Sequence, residues 1–150
     1  MSLACCLALI GLLAPTEARP APASSGARYS IEFTNDKLAV VKKNVEEGKA
    51  ALVDVRSIQE WKQGSIESSI FLPVDSLRKK PDPKLLAKKL PKKKILYTFC
   101  VVGMRAKTAA IKLEQLGYTV RALKPGYDEL LEAGFKKAVP DRAAANENTR

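Results

Sequence analysis

Short apolar segments alternate with amphipathic ones along most of this 150-residue chain. Five of the short segments predict strands, at residues 29–33, 50–55, 70–72, 95–99 and 119–123. The run 50–55 is apolar apart from Asp54, which is typical of a parallel strand that is covered on both faces, and 95–99 is predicted as another buried strand.

The segments between these strands have helical character. Predicted helices cover the stretch from a cap at Thr34 or Asn35 to Gly48, and residues 57–63, 75–90, 104–116 and 127–133. The pattern over 75–90 is weak because Pro81 and Pro83 interrupt it. Strands that alternate with helices predict an α/β fold, with an open parallel sheet and helices on both faces.

Composition narrows the class of protein. With 46% hydrophobic and 28% charged residues, the chain has the balance of one soluble globular domain. It contains no histidine. Catalysis by a histidine acid or base, a cysteine–histidine protease site and histidine-ligated metals are therefore excluded, and we expect neither a metal nor another cofactor.

The first 18 residues predict a signal peptide. Residues 3–14 are apolar and uncharged, but they are too few for a membrane-spanning helix, which needs about 20 residues. We expect a signal peptide over 1–18, a flexible linker over 19–28, a folded domain over 29–138 and a polar tail over 139–150. The protein would then be periplasmic or secreted, without stable membrane insertion after cleavage. The alternative is an uncleaved N-terminal membrane anchor.

Signal cleavage would leave one cysteine. Cys5 and Cys6 would be removed with the signal peptide, and Cys100 would remain alone in the mature chain. A single cysteine in an exported protein is either a reactive thiol or a partner in an intermolecular disulfide. The structural alternative is a small buried residue that behaves as an apolar side chain.

The net charge of +10 is concentrated between residues 78 and 94. This basic segment contains Arg78, Lys79, Lys80, Lys84, Lys88, Lys89, Lys92, Lys93 and Lys94. Such a segment either attracts anionic substrates, nucleic acid or an anionic membrane surface, or is a solvated helix face followed by a lysine-rich turn. No aromatic residues alternate with these lysines, so we expect no nucleic-acid partner.

Residues 100–105 have the chemistry of an anion-binding loop. Cys100 follows a predicted strand and precedes a predicted helix, so the helix N-terminus would stabilise a thiolate. Gly103 allows backbone conformations that a tight loop needs, and Arg105 adds a cation. The alternative is a buried cysteine at a strand end, with Arg105 in solvent.

These residues resemble the active-site loop of the rhodanese family. The family pattern is Cys100-x-x-Gly103-x-Arg105 after an apolar strand. The upstream segment 54–66, which begins Asp-Val-Arg, resembles the family's first motif, and residues 70–73 resemble its next strand. Residues 125–127, Pro-Gly-Tyr, resemble its closing motif. The resemblance covers about residues 29–135.

The resemblance implies a three-layer α/β/α fold around a five-stranded parallel sheet. It also implies a sulfurtransferase that moves sulfane sulfur from thiosulfate or a persulfide donor to a thiol or cyanide, through a persulfide on Cys100. In that reaction Cys100 is the catalytic nucleophile. The substrate-binding residues would be Val101, Val102, Gly103, Met104 and Arg105, with Arg105 at the charged end of the donor.

The upstream motif is implied to support the loop. Asp54, Arg56 and Glu60 would be structural residues, with Arg56 paired to Glu60. The partners expected are a small anionic sulfur donor and a thiol acceptor, which includes the thiol of another protein.

The sequence departs from the family pattern at two places. Ser65 stands where the family usually has histidine after Gly64. Val101 and Val102 are apolar where many thiosulfate-using members have polar or basic residues, so thiosulfate is expected to be a poor donor.

Two other functions fit parts of the pattern. Phosphatases and arsenate reductases of a related fold place five residues between cysteine and arginine, whereas four separate Cys100 from Arg105. The shorter loop favours a persulfide. The second alternative is a non-catalytic rhodanese-like module that binds a protein or carries sulfur.

Overall fold

The computed structural model describes residues 31–79 and 81–139. The predicted signal peptide and linker lie outside these residues, as does the predicted tail from residue 140 onward. The helices are α1 (Leu38–Glu46), α2 (Ile58–Gln63), α3 (Val74–Arg78), α4 (Pro83–Lys89), α5 (Met104–Gln115) and α6 (Tyr127–Glu132). The strands are β1 (Ala50–Asp54), β2 (Ile70–Phe71), β3 (Ile95–Phe99) and β4 (Val120–Ala122).

The strands form one parallel sheet in the order β2-β1-β3-β4. The described residues contain four strands rather than the expected five. In place of the predicted strand at 29–33, Phe33 makes a single parallel bridge to Ala122 of β4, and Thr34 N donates to Ala122 O at 2.9 Å. Residues 29 and 30 lie outside the described part of the chain.

Side chains of β3, and of Cys100 directly after it, lie in two apolar layers. Leu96 and Cys100 belong to a core that includes residues of α3, α4 and α5. Tyr97 and Phe99 belong to a core that includes residues of α1 and α6. Both faces of the sheet are therefore covered by helices, as the apolar run at 50–55 predicts. The expected three-layer α/β/α architecture is confirmed.

The start of α1 differs from the prediction. The residue that precedes the helix is Lys37, whose side chain makes no capping hydrogen bond, rather than Thr34 or Asn35. Thr34 Oγ1 instead accepts from Asp36 N at 3.2 Å and stabilises a local turn. This use of the hydroxyl moves the start of the helix towards residue 38.

The weak helical pattern over 75–90 divides into two short helices. Asp82 caps α4 by accepting from Lys84 N at 2.8 Å, and Pro83 occupies the first helical turn, where a missing N–H costs nothing. Leu86 is the buried residue of this helix, and the described lysines of the basic segment are exposed. No helix in residues 31–79 or 81–139 is long and apolar enough to cross a membrane.

Candidate active site

Cys100 lies at the carboxyl end of the central strand β3. It follows Phe99 directly and has no exposed surface. Phe99 pairs in register with Asp54, the last residue of β1, so the ends of the two strands meet at one edge of the sheet. Thr98 connects strand and helix, since its Oγ1 donates to Ala106 O at 3.0 Å. The structure places Cys100 in the turn between a strand and a helix, as the sequence predicts.

Gly103 shapes the turn. Its φ of +83° lies in the left-handed region, and it is the residue that precedes α5. A Cβ atom at this position would lie 2.7 Å from the Phe33 ring and 3.2 Å from Lys124 Cα. Both the backbone angle and the space available therefore require glycine here.

Negative charge on the sulfur is stabilised from the backbone. Gly103 N donates to Cys100 Sγ at 3.1 Å. This N–H belongs to the start of α5, a helix of 12 residues, whose N-terminal end carries positive potential. Both effects place positive potential beside the sulfur atom of Cys100.

Arg105 is held by Glu60. Its Nη1 and Nη2 atoms donate to Glu60 Oε2 and Oε1, each at 2.6 Å, in a two-point ion pair. The expected pairing of Glu60 with Arg56 is therefore wrong. The physical reason is that Arg56 is already paired with Asp54, while the first turn of α2 directs Glu60 towards α5.

The ion pair changes the titration of both groups. The Arg105 guanidinium lowers the pKa of Glu60 from 4.5 to about 2, and hydrogen bonds from Ser57 act in the same direction. Glu60 in turn raises the pKa of Arg105, with a smaller contribution from Cys100. Both partners are therefore charged throughout the neutral pH range.

Ser57 fixes the carboxylate of Glu60. The Ser57 side chain accepts from Glu60 N at 3.3 Å, and Glu60 Oε2 accepts from Ser57 N at 2.8 Å and Oγ at 2.7 Å. This is a capping box, and the spacing Ser-x-x-Glu is its sequence signature. The sequence prediction did not include Ser57 among the site residues, although this spacing would have identified it.

Asp54 and Arg56 form a buried ion pair below the loop. Arg56 Nε and Nη2 donate to the Asp54 carboxylate at 2.6–3.0 Å, and Nη2 also donates to Gly64 O at 2.7 Å. The Arg56 guanidinium lies 4.0 Å from the centre of the Tyr127 ring. These contacts join the end of β1, the end of α2 and the start of α6.

The segment that begins α6 closes against the Cys100 loop. Tyr127 N donates to Cys100 O at 3.0 Å. A Cβ atom on Gly126 would lie 2.0 Å from Val101 O, so only glycine allows this approach. Gly126 N donates to Glu129 Oε2 at 2.6 Å, which fixes the turn. Gly126 and Tyr127 were missing from the predicted site residues, although residues 125–127 resemble the family's closing motif.

The exposed side chains of the Cys100 loop are apolar. Val101, Val102 and Met104 are 43%, 71% and 65% exposed, and they are among the few large apolar side chains exposed on the described surface. Beside Val101 lies a cleft of about 270 Å³. Its lining residues are Arg56, Glu60, Gln63, Gly64, Val101, Tyr127 and Asp128.

Ser65 stands where the family usually has histidine, directly after the cleft residue Gly64. It is buried, and its carbonyl oxygen accepts from Ala138 N at 2.8 Å. In the described part of the chain, no group of three or more acidic, cysteine or histidine residues is placed to hold a metal ion.

Comparison with known proteins identifies a family with this fold. The rhodanese-like domain family model matches residues 37–133. A rhodanese-related protein from Thermoplasma volcanium is 29% identical over 67% of this chain and 93% of that one, with a TM-score of 0.55. The human single-domain sulfurtransferase TSTD1 is 26% identical over 63% of this chain and 92% of that one, with a TM-score of 0.50.

A third similar structure belongs to a larger protein. Bacillus anthracis CoADR-RHD is 31% identical over 70% of this chain and 18% of that one, with a TM-score of 0.54. No curated protein sequence matches. Because the family model covers well over half of the chain, and because the fold agrees with it, this protein belongs to the family of rhodanese-like domains.

Proposed function

We propose that this protein is a sulfurtransferase in which Cys100 carries sulfane sulfur as a persulfide. The observation that carries the proposal is the hydrogen bond from Gly103 N to Cys100 Sγ at 3.1 Å, at the N-terminus of α5. A nucleophilic sulfur needs its negative charge stabilised before attack, and a persulfide anion needs the same stabilisation afterwards.

In the first step the Cys100 thiolate attacks the outer sulfur of the donor. With thiosulfate the S–S bond breaks, sulfite leaves with the bonding electron pair, and Cys100 keeps the transferred sulfur as a persulfide anion. In the second step the persulfide passes its outer sulfur to a thiolate or to cyanide, and the bonding pair returns to Cys100 as thiolate. Neither step needs a histidine or a metal.

The loop residues have distinct roles in this proposal. Gly103 donates its N–H to the sulfur, and in this proposal the backbone N–H groups of the loop from Val101 to Arg105 stabilise the persulfide anion. Val101, Val102 and Met104 form the apolar mouth that the donor and the acceptor contact. Asp54 and Arg56 hold the strand end and the cleft wall in place.

The proposal is tested by transfer to cyanide. Purified protein with thiosulfate or an alkyl persulfide as donor should form thiocyanate, and Cys100→Ser should form none above the uncatalysed rate. The matched control is Ser76→Ala, because the Ser76 side chain is exposed on the surface of α3, and this variant should retain wild-type turnover. Absence of turnover with both donors, in folded protein with a free thiol, would favour a binding or carrier module.

A further inference from the structure

We infer that Glu60 sets the class of sulfur donor, by matching the charge of Arg105 so that an alkyl persulfide is preferred over dianionic thiosulfate. This inference rests on the proposed function and names the donor of that same site. Glu60 is a positioning residue here, since it acts through Arg105.

The charge of the loop cation Arg105 is already balanced by a carboxylate. Both terminal nitrogens of Arg105 donate to Glu60 at 2.6 Å, and Glu60 is itself fixed by Ser57. The two bonds use two of the five N–H groups of the guanidinium, and the carboxylate of Glu60 balances its charge. A donor that binds the remaining N–H groups therefore meets a neutral ion pair and not a free cation, so a dianion gains less from Arg105 than it would without Glu60.

Among the residues that line the cleft beside Val101, the one arginine has a carboxylate partner. Arg56, the other arginine beside the cleft, is paired with the buried carboxylate of Asp54. The same cleft is lined by the carboxylates of Glu60 and Asp128. A dianion in this cleft therefore meets two carboxylates and one arginine that is already paired.

The exposed side chains of the loop favour an apolar donor. Val101, Val102 and Met104 offer methyl and thioether surface to whatever approaches Cys100. An alkyl group on the donor gains apolar contact with these side chains, whereas a sulfonate group would lose water there without a hydrogen-bond donor from them.

The transfer from such a donor balances in atoms and charge. The Cys100 thiolate attacks the outer sulfur of R–S–SH, and the S–S bond of the donor breaks. The thiolate R–S⁻ leaves with the electron pair, and the proton remains on the outer sulfur of the new Cys100 persulfide. The leaving group carries one negative charge, whereas sulfite carries two.

The experiment compares kcat/KM for thiosulfate and for an alkyl persulfide in wild type and Glu60→Gln. Glutamine can still accept from Ser57 N, so the helix cap is kept. The positive charge of Arg105 is then no longer balanced by a carboxylate. The ratio of kcat/KM, thiosulfate over persulfide, should rise at least about tenfold, which is the value of one hydrogen bond to a charged group. The change should lie mainly in KM for thiosulfate and should shrink as salt concentration rises.

Three further variants separate charge from structure. Glu46→Gln removes an exposed carboxylate of α1 and should leave the ratio at its wild-type value. Glu60→Gln combined with Arg105→Gln should lose the gain, because the released cation is absent. Val102→Arg adds a cation at a position that is 71% exposed and should raise the ratio even if Glu60→Gln does not fold.

The outcomes distinguish this inference from the proposed function. If neither donor places sulfur on Cys100, the proposed function fails. If sulfur is transferred but the ratio in folded Glu60→Gln equals that of wild type, only the inference on Glu60 is overturned. An unchanged ratio in Val102→Arg overturns it in the same way where Glu60→Gln does not fold.

Discussion

Arg105 and Glu60 are 45 residues apart in sequence, and two hydrogen bonds of 2.6 Å join them at the edge of the Cys100 loop. The pair links the first turn of α5 to the first turn of α2. Since Gly103, whose N–H contacts the sulfur, directly precedes α5, the ion pair connects α2 to the helix that follows the Cys100 loop.

The ion pair predicts a stability difference that depends on pH. The pKa of Glu60 is lowered to about 2, so its charged form stabilises the fold fully above its ordinary value of 4.5. That contribution is lost as the pH falls from 4.5 towards 2. Glu60→Gln should reduce the free energy of unfolding by about 1–2 kcal/mol at pH 7, less than the full shift implies because the pair is partly exposed.

Urea unfolding at several pH values measures this difference. The gap between wild type and Glu60→Gln should be equal at pH 7 and pH 5.5 and should close below pH 4.5. Glu46→Gln, in an exposed pair with Lys42, serves as the control and should show a difference of less than about 0.5 kcal/mol. A gap that stays constant down to pH 2 would contradict the assigned ion pair.

Breaking the buried ion pair of Asp54 and Arg56 should cost more unfolding free energy than breaking the pair of Glu60 and Arg105. Asp54→Asn leaves the Arg56 guanidinium buried without its charged partner, which typically costs about 3–5 kcal/mol. The free energy of unfolding from urea titration at pH 7 measures this loss. In the exposed pair of Asp75 and Arg78, Asp75→Asn should change it by less than about 0.5 kcal/mol. Equal effects of the two substitutions would be inconsistent with a buried, structural role for Asp54.

A side chain at position 126 should distort the Cys100 loop. Gly126→Ala places a Cβ atom 2.0 Å from Val101 O, so the loop or the start of α6 must move. We expect a loss of more than about 2 kcal/mol in unfolding free energy and a large fall in sulfur transfer.

Gly117→Ala is the control for this effect. Gly117 has a φ of +80°, and the nearest atom to an added Cβ is Lys92 Nζ at 4.0 Å, far from the Cys100 loop. The substitution should cost about 1–2 kcal/mol through backbone strain while transfer by the folded protein is preserved. Loss of transfer in both variants alike would mean that activity follows stability and not the geometry of the loop.

Local sequence signals predict most of the fold. The strand predicted at 95–99 matches β3 residue for residue, and Gly64 and Gly117 lie within two residues of the ends of α2 and α5. The cap of α1 was predicted wrongly because Thr34 uses its hydroxyl in a turn of its own, a choice that spacing alone does not reveal.

The contacts within the candidate site are harder to predict from the sequence than the fold. The position of Cys100 between a strand and a helix follows from the pattern, whereas the partner of Glu60 does not. The ion pair that Glu60 forms depends on which arginine lies near it in the folded chain. Arg56 pairs with Asp54, which is two residues away in sequence, so Glu60 pairs with Arg105. The contact of Gly126 with Val101 is likewise a tertiary feature.

The central claim is that Cys100 accepts sulfur, and intact mass tests it most directly. Reduced protein is incubated with excess alkyl persulfide or thiosulfate, freed of donor and weighed, with Cys100→Ser treated in parallel. We predict a gain of one sulfur atom in wild type, no gain in the variant, and return to the original mass after addition of cyanide or a thiol. No gain with either donor, in folded protein whose thiol is shown to be reduced, would contradict the account.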